Sequence, residues 1–224
     1  MQPGSGGYPA IRFDAISRAW TVYRDQMGMW IAIALIVALI TVAVVVLIDI
    51  AIALALNMPL GAWSPWTASS FVSGILSSTV AYLITAGALN AAIKQIRGHG
   101  LRLDYLTEVS ARGAKLLVVA VLMALVTTVA TMLFVIPFFV AAGLLMFSIP
   151  LVADRDMDGV EAIRRSFAML KSQWLMATLF YLVIALIGLA GIIACGVGVI
   201  FTLPIYYLSI AFAYEDYMSG IAEP

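Results

Sequence analysis

The sequence predicts an all-α membrane protein: six transmembrane helices as three hairpins, each preceded by an amphipathic interfacial helix, with both termini on the cytoplasmic side (N-in, C-in). Three observations predict it. Of 224 residues, 64% are hydrophobic and 11% are charged, whereas a soluble domain carries about a quarter charged residues. The apolar surplus has to face lipid. The apolar residues also gather into runs that meet the requirement of about 20 helical residues for crossing the hydrocarbon. Finally, under a six-span count all 12 Lys and Arg residues fall on the side that holds the N-terminus. An excess of Lys and Arg marks the cytoplasmic side.

Residues 1–12 open with a Gly/Pro-rich stretch and read as a flexible tail. A single membrane domain then covers 13–217. Its first span is ~28–56, far longer than the roughly 7–15-residue apolar core of a cleavable signal peptide, so it is read as retained. Asn57-Met58-Pro59-Leu60-Gly61 makes the turn, and Trp63, Pro65 and Trp66 form a short loop whose two tryptophans are the aromatics expected at a membrane interface. The second span, ~70–92, ends at Lys94, Arg97 and the Gly98-His99-Gly100 break. Residues 116–153 hold 38 positions without a charge, which suits two helices rather than one. Pro137 lies near the middle, and proline breaks or turns a helix. Spans are therefore placed at ~116–135 and ~138–153, the latter short for a full crossing. A fifth span covers ~174–194 and turns at Gly191, Gly196 and Gly198. The sixth, ~198–214, ends at Tyr214-Glu215-Asp216, with 218–224 as a C-terminal tail.

Interfacial helices are expected at ~13–26, ~103–114 and ~160–172. The first and third resemble each other: Phe13-Asp14-Ala15-Ile16-Ser17-Arg18-Ala19-Trp20 aligns with Val160-Glu161-Ala162-Ile163-Arg164-Arg165-Ser166-Phe167, followed by Arg24 with Lys171 and Gln26 with Gln173. Apolar residues recur at helical spacing in both (Phe13, Ile16, Trp20, Tyr23 and Met27; Val160, Ile163, Phe167, Leu170 and Trp174). The other face is charged, as in a helix lying in the interface. The middle helix echoes them weakly, which predicts three repeated units. Arg18, Trp20, Arg24, Arg164, Arg165, Lys171 and Trp174 are the residues expected at lipid headgroups.

Few side chains could carry chemistry. Asp49 is the one carboxylate within a span, and an intramembrane charge is a functional hypothesis by default. Counting from Trp30 puts it roughly 28 Å along the helix, near the outer interface. It reads first as a solvated interfacial Asp, next as a helix-packing hydrogen bond to Thr67, Ser69 or a Trp N–H, and last as an ion site. Asn90 and Lys94 share a face near the cytoplasmic end of the second span and complete the possible intramembrane polar site. Asp154, Asp156 and Asp158 match the opening of a calcium loop, D-x-D-x-D-G, but Arg165 stands where its bidentate Glu belongs. They are weak metal candidates; the competing reading is an acidic loop with a helix N-cap at Asp158 or Gly159. His99, between two glycines, lacks a nucleophile or an orienting partner nearby. The single cysteine, Cys195, excludes an intrachain disulfide. No H-E-x-x-H, P-loop or aspartyl pair is present, and no cofactor is implied. Zero net charge without a basic stripe argues against nucleic acid.

The later two-thirds carries a resemblance. Ile136-Pro137, Pro150 before the acidic loop, Glu161-Ala162-Ile163-Arg164-Arg165-Ser166-Phe167, Trp174, and Pro204 before Ala213-Tyr214-Glu215-Asp216 resemble the YciC-like bacterial membrane proteins and the related membrane domain attached to some glycerophosphodiester phosphodiesterases. The hairpin proline there is usually followed by Gly; here Phe138 follows. The resemblance implies a six-helix, multi-pass fold in a bacterial inner membrane and no established reaction. The phosphodiesterase barrel is not in this sequence, so its activity is not implied.

The expected function is non-enzymatic, organising or assisting a partner, either membrane lipid or another membrane protein. A small transporter or channel is the alternative, and a lipid-acting membrane enzyme the third reading.

Overall fold

The computed structural model describes residues 10–57, 67–133, 135–193 and 198–222. Among these the chain is helical throughout, without a strand: α1 (Asp14–Asp25), α2 (Met27–Ala55), α3 (Ala68–Ile96), α4 (Tyr105–Glu108), α5 (Gly113–Leu133), α6 (Val135–Leu145), α7 (Ser148–Arg155), α8 (Gly159–Leu170), α9 (Trp174–Ile193) and α10 (Val199–Ala222). Five segments are long and apolar enough to cross a membrane: Met27–Ala55, Ala68–Ile96, Asp104–Leu133, Val135–Arg155 and Gly159–Gly191. By length and composition the chain is a multi-pass membrane protein. α10 is not among the five, its apolar run being diluted by tyrosines, Pro204 and the Glu215–Asp216 pair.

The 29 residues of α2 make a rod of about 43 Å, longer than a hydrocarbon layer of ~30 Å. α3 has the same length and runs four residues beyond its expected end. It stops where Gly98 takes a left-handed φ of 88°. The Gly98 and His99 amides then cap the Gln95 and Lys94 carbonyls at 3.0 and 3.1 Å, the usual use of a glycine just past a helix end.

The charge-free stretch divides close to Pro137 as expected, into α5, ending at Leu133, and α6, described from Val135; Pro150 is the third residue of α7. Amides in a first turn have no intrahelical acceptor, so proline costs nothing there. The expected span 138–153 is two helices joined at Met146-Phe147. Phe147 is buried and meets Tyr214 and Tyr217 edge-on, each at 5.7 Å between centroids. Every residue of α7 from Ser148 to Ala153 is buried, so this short helix is enclosed by protein on all sides. Two tails are also shorter than expected. Ile11 is buried and its N–H is held by Gln173, and α10 carries helix through 218–222. The expected turn residues 58–61, the interface residues Trp63, Pro65 and Trp66, Cys195 and Gly196 lie outside the described residues.

The helices pack in a regular order. α2 lies on α3, α5 on α6, and α9 on α10; α3 also lies on α5, α6 on α9, and α10 on α2. The short helices sit across these long ones: α1 on α10, α4 on α3, and α8 on α7, α5 and α6.

Candidate functional site

The two amphipathic helices that align in sequence also align in burial. Ala15 and Ala162, Ala19 and Ser166, and Tyr23 and Leu170 are all buried. Small residues here let α1 and α8 settle onto the helices beneath. Trp20 and Phe167, at matching positions, are 46% and 49% exposed, and Phe13 and Val160 are exposed as well. Of the expected apolar face of α1, Tyr23 is buried, Ile16 and Met27 pack partly against the core, and Phe13 and Trp20 stay exposed, Phe13 lying edge-on to Phe180 at 5.7 Å. α8 starts on an Asp158 N-cap, whose carboxylate accepts the Val160 N–H at 3.1 Å. Glu161 follows in the first turn, where a negative charge suits the helix dipole.

Gln26 and Gln173, also at matching positions, do matching work. Gln26 accepts the Leu101 N–H at 3.1 Å, just ahead of α4, and Gln173 accepts the Ile11 N–H at 3.2 Å, just ahead of α1. Arg112, one residue before α5, reaches the Ala153 carbonyl at 2.6 Å and the Asp156 carboxylate at 3.5 Å, ahead of α8. In each case a polar side chain at the foot of one long helix fastens the lead-in of another short helix.

The residues expected at headgroups divide into two groups. Arg18 is engaged within the protein. It is paired with Asp216 of α10 and stacked over the Phe212 ring at 4.7 Å. Desolvation disfavours its charge, yet the hydrogen bond and charge of Asp216, with help from Asp14, hold the guanidinium above its ordinary pKa. It ties α1 to α10 and is not free for a phosphate; the acid that claims it lies 198 residues later in the chain. Arg24, Arg164, Arg165 and Lys171 are exposed and have no hydrogen-bond or ion-pair partner among the described residues. Trp20 and Trp174 stand exposed beside them.

The acidic loop does three separate jobs. Asp154, its side chain 9% exposed, takes two hydrogen bonds from Arg97, one at 2.9 Å, and a third from the Tyr214 hydroxyl at 3.1 Å. Arg97 also donates to Glu215 at 2.8 Å. One guanidinium thus ties together the ends of α3, α7 and α10. The bond to Asp154 raises the Arg97 pKa above its ordinary value, against partial desolvation. Asp156 sits at a left-handed φ of 52° and binds Lys115 at 2.9 Å. That hydrogen bond, opposed by slight desolvation and aided by the charges of Lys115 and Arg112, keeps its carboxyl below the ordinary value. Asp158 is the N-cap. Among the described residues no cluster of three His, Cys, Asp or Glu side chains could hold a metal.

Asp49, Asn90 and Lys94 do not converge. Asp49 accepts from Ser73 across α2 and α3, which makes it a helix-packing bond with a partner one turn beyond those expected. Asn90 is buried and donates to the Tyr105 carbonyl at 2.9 Å. Lys94 pairs with Glu108 and lies over the Tyr105 ring at 4.5 Å. Both dock α4 on α3. Ser73 and Asn90 are 17 residues apart on α3, roughly 25 Å. Since interhelical hydrogen bonds in membranes average about 0.6 kcal/mol, Asn90→Ala should lower stability by about that much, read as a small shift in a detergent-unfolding midpoint. His99 is exposed, its Nδ1 3.2 Å from the Lys94 carbonyl.

One cluster was missed. The Tyr82 hydroxyl of α3 donates to Thr127 of α5 at 3.2 Å, and the Tyr206 hydroxyl of α10 to Tyr181 of α9 at 3.2 Å. Tyr181 and Tyr206 meet edge-on at 6.2 Å, and Tyr206 and Tyr207 at 5.5 Å. Tyr82 is the central residue of α3, so this hydroxyl group lies at mid-helix. Its signal was visible in the tyrosines inside otherwise apolar runs.

No family model, curated protein or solved structure matches the chain.

Proposed function

We propose that the chain is a six-span bacterial inner-membrane protein, N-in and C-in, that organises or assists a lipid or protein partner at the cytoplasmic leaflet rather than catalysing a reaction. α10 is read as the sixth span and the chain as three repeated units: α1–α3, α4–α7 and α8–α10. The matched burial of α1 and α8, and the matched roles of Gln26 and Gln173, support that reading. In it, each amphipathic helix crosses a helix of the preceding unit, and α1 closes the ring on α10.

The observation that carries the function is the contrast between interior and surface. Polar groups such as Arg18, Arg97, Asp154 and Asn90, buried or half-open, are spent on holding helices together. Arg24 and Trp20 of α1, Arg164 and Arg165 of α8, and Trp174 at the start of α9 are exposed on segments read as interfacial. Basic and aromatic side chains in that arrangement suit anionic headgroups.

Reporters fused near Trp63 and Gly196 should read out on the side opposite the termini, and a cytoplasmic signal from either overturns the topology. A mild-detergent pull-down at native expression should bring a partner. Recovery of the bare chain alone counts against the organising role.

A second reading, a small transporter, is favoured by the Tyr82–Thr127 and Tyr181–Tyr206 hydroxyls at mid-helix. Solute flux in proteoliposomes that Tyr82→Phe and Tyr206→Phe abolish would reverse the order.

A further inference from the structure

Two open clefts run beneath the amphipathic helices. The larger, about 900 Å³, lies under α8 between α5 and α6. The smaller, about 530 Å³, lies under α1 between α9 and α10. Their mouths are built from matching positions: Ile163, Arg164 and Phe167 in one, Ile16, Ser17 and Trp20 in the other. The same hollow therefore recurs wherever an aligned amphipathic helix bridges two long helices. Recurrence at matched positions distinguishes it from an accidental packing gap.

The larger cleft has the form of a slot. Leu125, Val129 and Leu133 of α5 recur every fourth residue along one wall; Ile136, Val140 and Leu144 of α6 do the same along the other. Eight residues of helix make each wall about 12 Å long, close to one leaflet of a ~30 Å hydrocarbon layer. Ala130 and Ala141 are its smallest lining residues and leave the space. Arg164 is the one polar residue lining it. It stands at the α8 end and is exposed; neither it nor Arg165 has a hydrogen-bond or ion-pair partner among the described residues, and Glu161, one turn earlier, pairs with neither. A solute would find nothing to bond in such a slot, and a partner helix would leave the guanidinium unpaired. A molecule with a flexible apolar chain and a single anionic head satisfies both ends.

We propose that the α5–α6–α8 cleft holds one acyl chain of an anionic phospholipid of the cytoplasmic leaflet, its phosphate on Arg164, and that the α1 cleft, with Ser17 in place of the arginine, takes a chain without regard to headgroup charge. This rests on the membrane-embedded, N-in reading above and names its partner class.

The test is native mass spectrometry of the full chain in detergent, titrated separately with phosphatidylglycerol and phosphatidylcholine. Wild type should retain phosphatidylglycerol preferentially. Arg164→Ser, an exposed change that leaves the packing intact, should weaken phosphatidylglycerol retention about fivefold, the effect of one basic group at an anionic surface, and leave phosphatidylcholine unchanged. Ala141→Trp, which fills the slot, should remove one retained lipid of either kind. Ser17→Arg should add the anionic preference to the second cleft. Equal retention of phosphatidylglycerol by wild type, Arg164→Ser and Ala141→Trp overturns the proposal. So does an Ala141→Cys chain that cross-links to a second copy in membranes while retaining no lipid. In either case, reporters at Trp63 and Gly196 that still read opposite the termini leave the broader functional reading standing; cytoplasmic reporters sink both.

Discussion

Arg97→Ala should lower the stability of the folded chain by about 2–4 kcal/mol, near the loss seen when one partner of a buried ion pair is removed. Arg97 itself is partly open to solvent, which keeps the value below the top of the usual range. Its partner sets the scale. Asp154 is nearly buried, and without the guanidinium it keeps the Tyr214 hydroxyl and the exposed Arg155 as its contacts. A carboxylate left short of compensation inside protein is costly in a way that a surface charge is not. The effect should also be cooperative, because Arg97 joins α3 to α7 through Asp154 and to α10 through Glu215. Asp154→Asn on its own should destabilise the chain, yet the double variant Arg97→Ala/Asp154→Asn should lose less than the two single changes together, since no uncompensated charge remains. Arg102→Ala is the control. Its pairing with Asp104 is exposed on both sides, and such pairs contribute about 0–1 kcal/mol. Unfolding midpoints of the four variants in mixed micelles decide the matter. Additive losses, or an Arg97→Ala midpoint equal to that of Arg102→Ala, would show that the cluster does not bind the three helix ends.

How much of this was legible in the sequence depends on whether the physics is local. Helix periodicity is local, so α1 and α8 could be read from Phe13-Ile16-Trp20 and Val160-Ile163-Phe167 within a residue or two of their observed bounds. The length of α2, the Gly98 stop and the Asp158 cap were legible for the same reason. The direction of an amphipathic helix is not local. Ala15, Ala19 and Tyr23 are buried while Phe13 and Trp20 stay exposed, a division set by the packing of α1 on α10, which is distant in sequence. Arg18 was assigned to lipid since its acid, Asp216, is distant in sequence. The division of 138–153 into α6 and α7 was not legible, because the joint at Met146-Phe147 carries neither proline nor glycine. The tyrosine group was hidden by counting Tyr82, Tyr181 and Tyr206 as apolar residues in apolar runs. The clefts were illegible altogether: they are gaps between three helices, and nothing in a single run marks where its neighbours fall short.

Helix contacts that depend on glycine give the second large effect. Gly143→Leu should destabilise the fold by at least the ~1–3 kcal/mol typical of overpacking, with a substantial part of the loss present in Gly143→Ala. A Cβ at Gly143 would lie 2.9 Å from the Ala177 carbonyl oxygen and 3.0 Å from the Thr178 Cα. These are backbone atoms of α9, which cannot turn aside as a side-chain tip does, so α6 and α9 must separate as bodies. Separation there would also spread the Phe139–Tyr181 ring contact, at 6.4 Å, and disturb the hydroxyl pair behind it. Gly188 of α9 supplies the contrast. A Cβ there meets nothing within 4 Å, so Gly188→Ala should be neutral or gain up to about 1 kcal/mol from helix propensity. Composition does not distinguish the two glycines, since both stand in apolar helices; only the distance to the neighbouring backbone does. If unfolding midpoints rank Gly143→Ala level with Gly188→Ala, α6 and α9 do not cross this closely. The α5–α6–α8 cleft, one wall of which is α6, would then have a different width and a weaker claim on a single acyl chain.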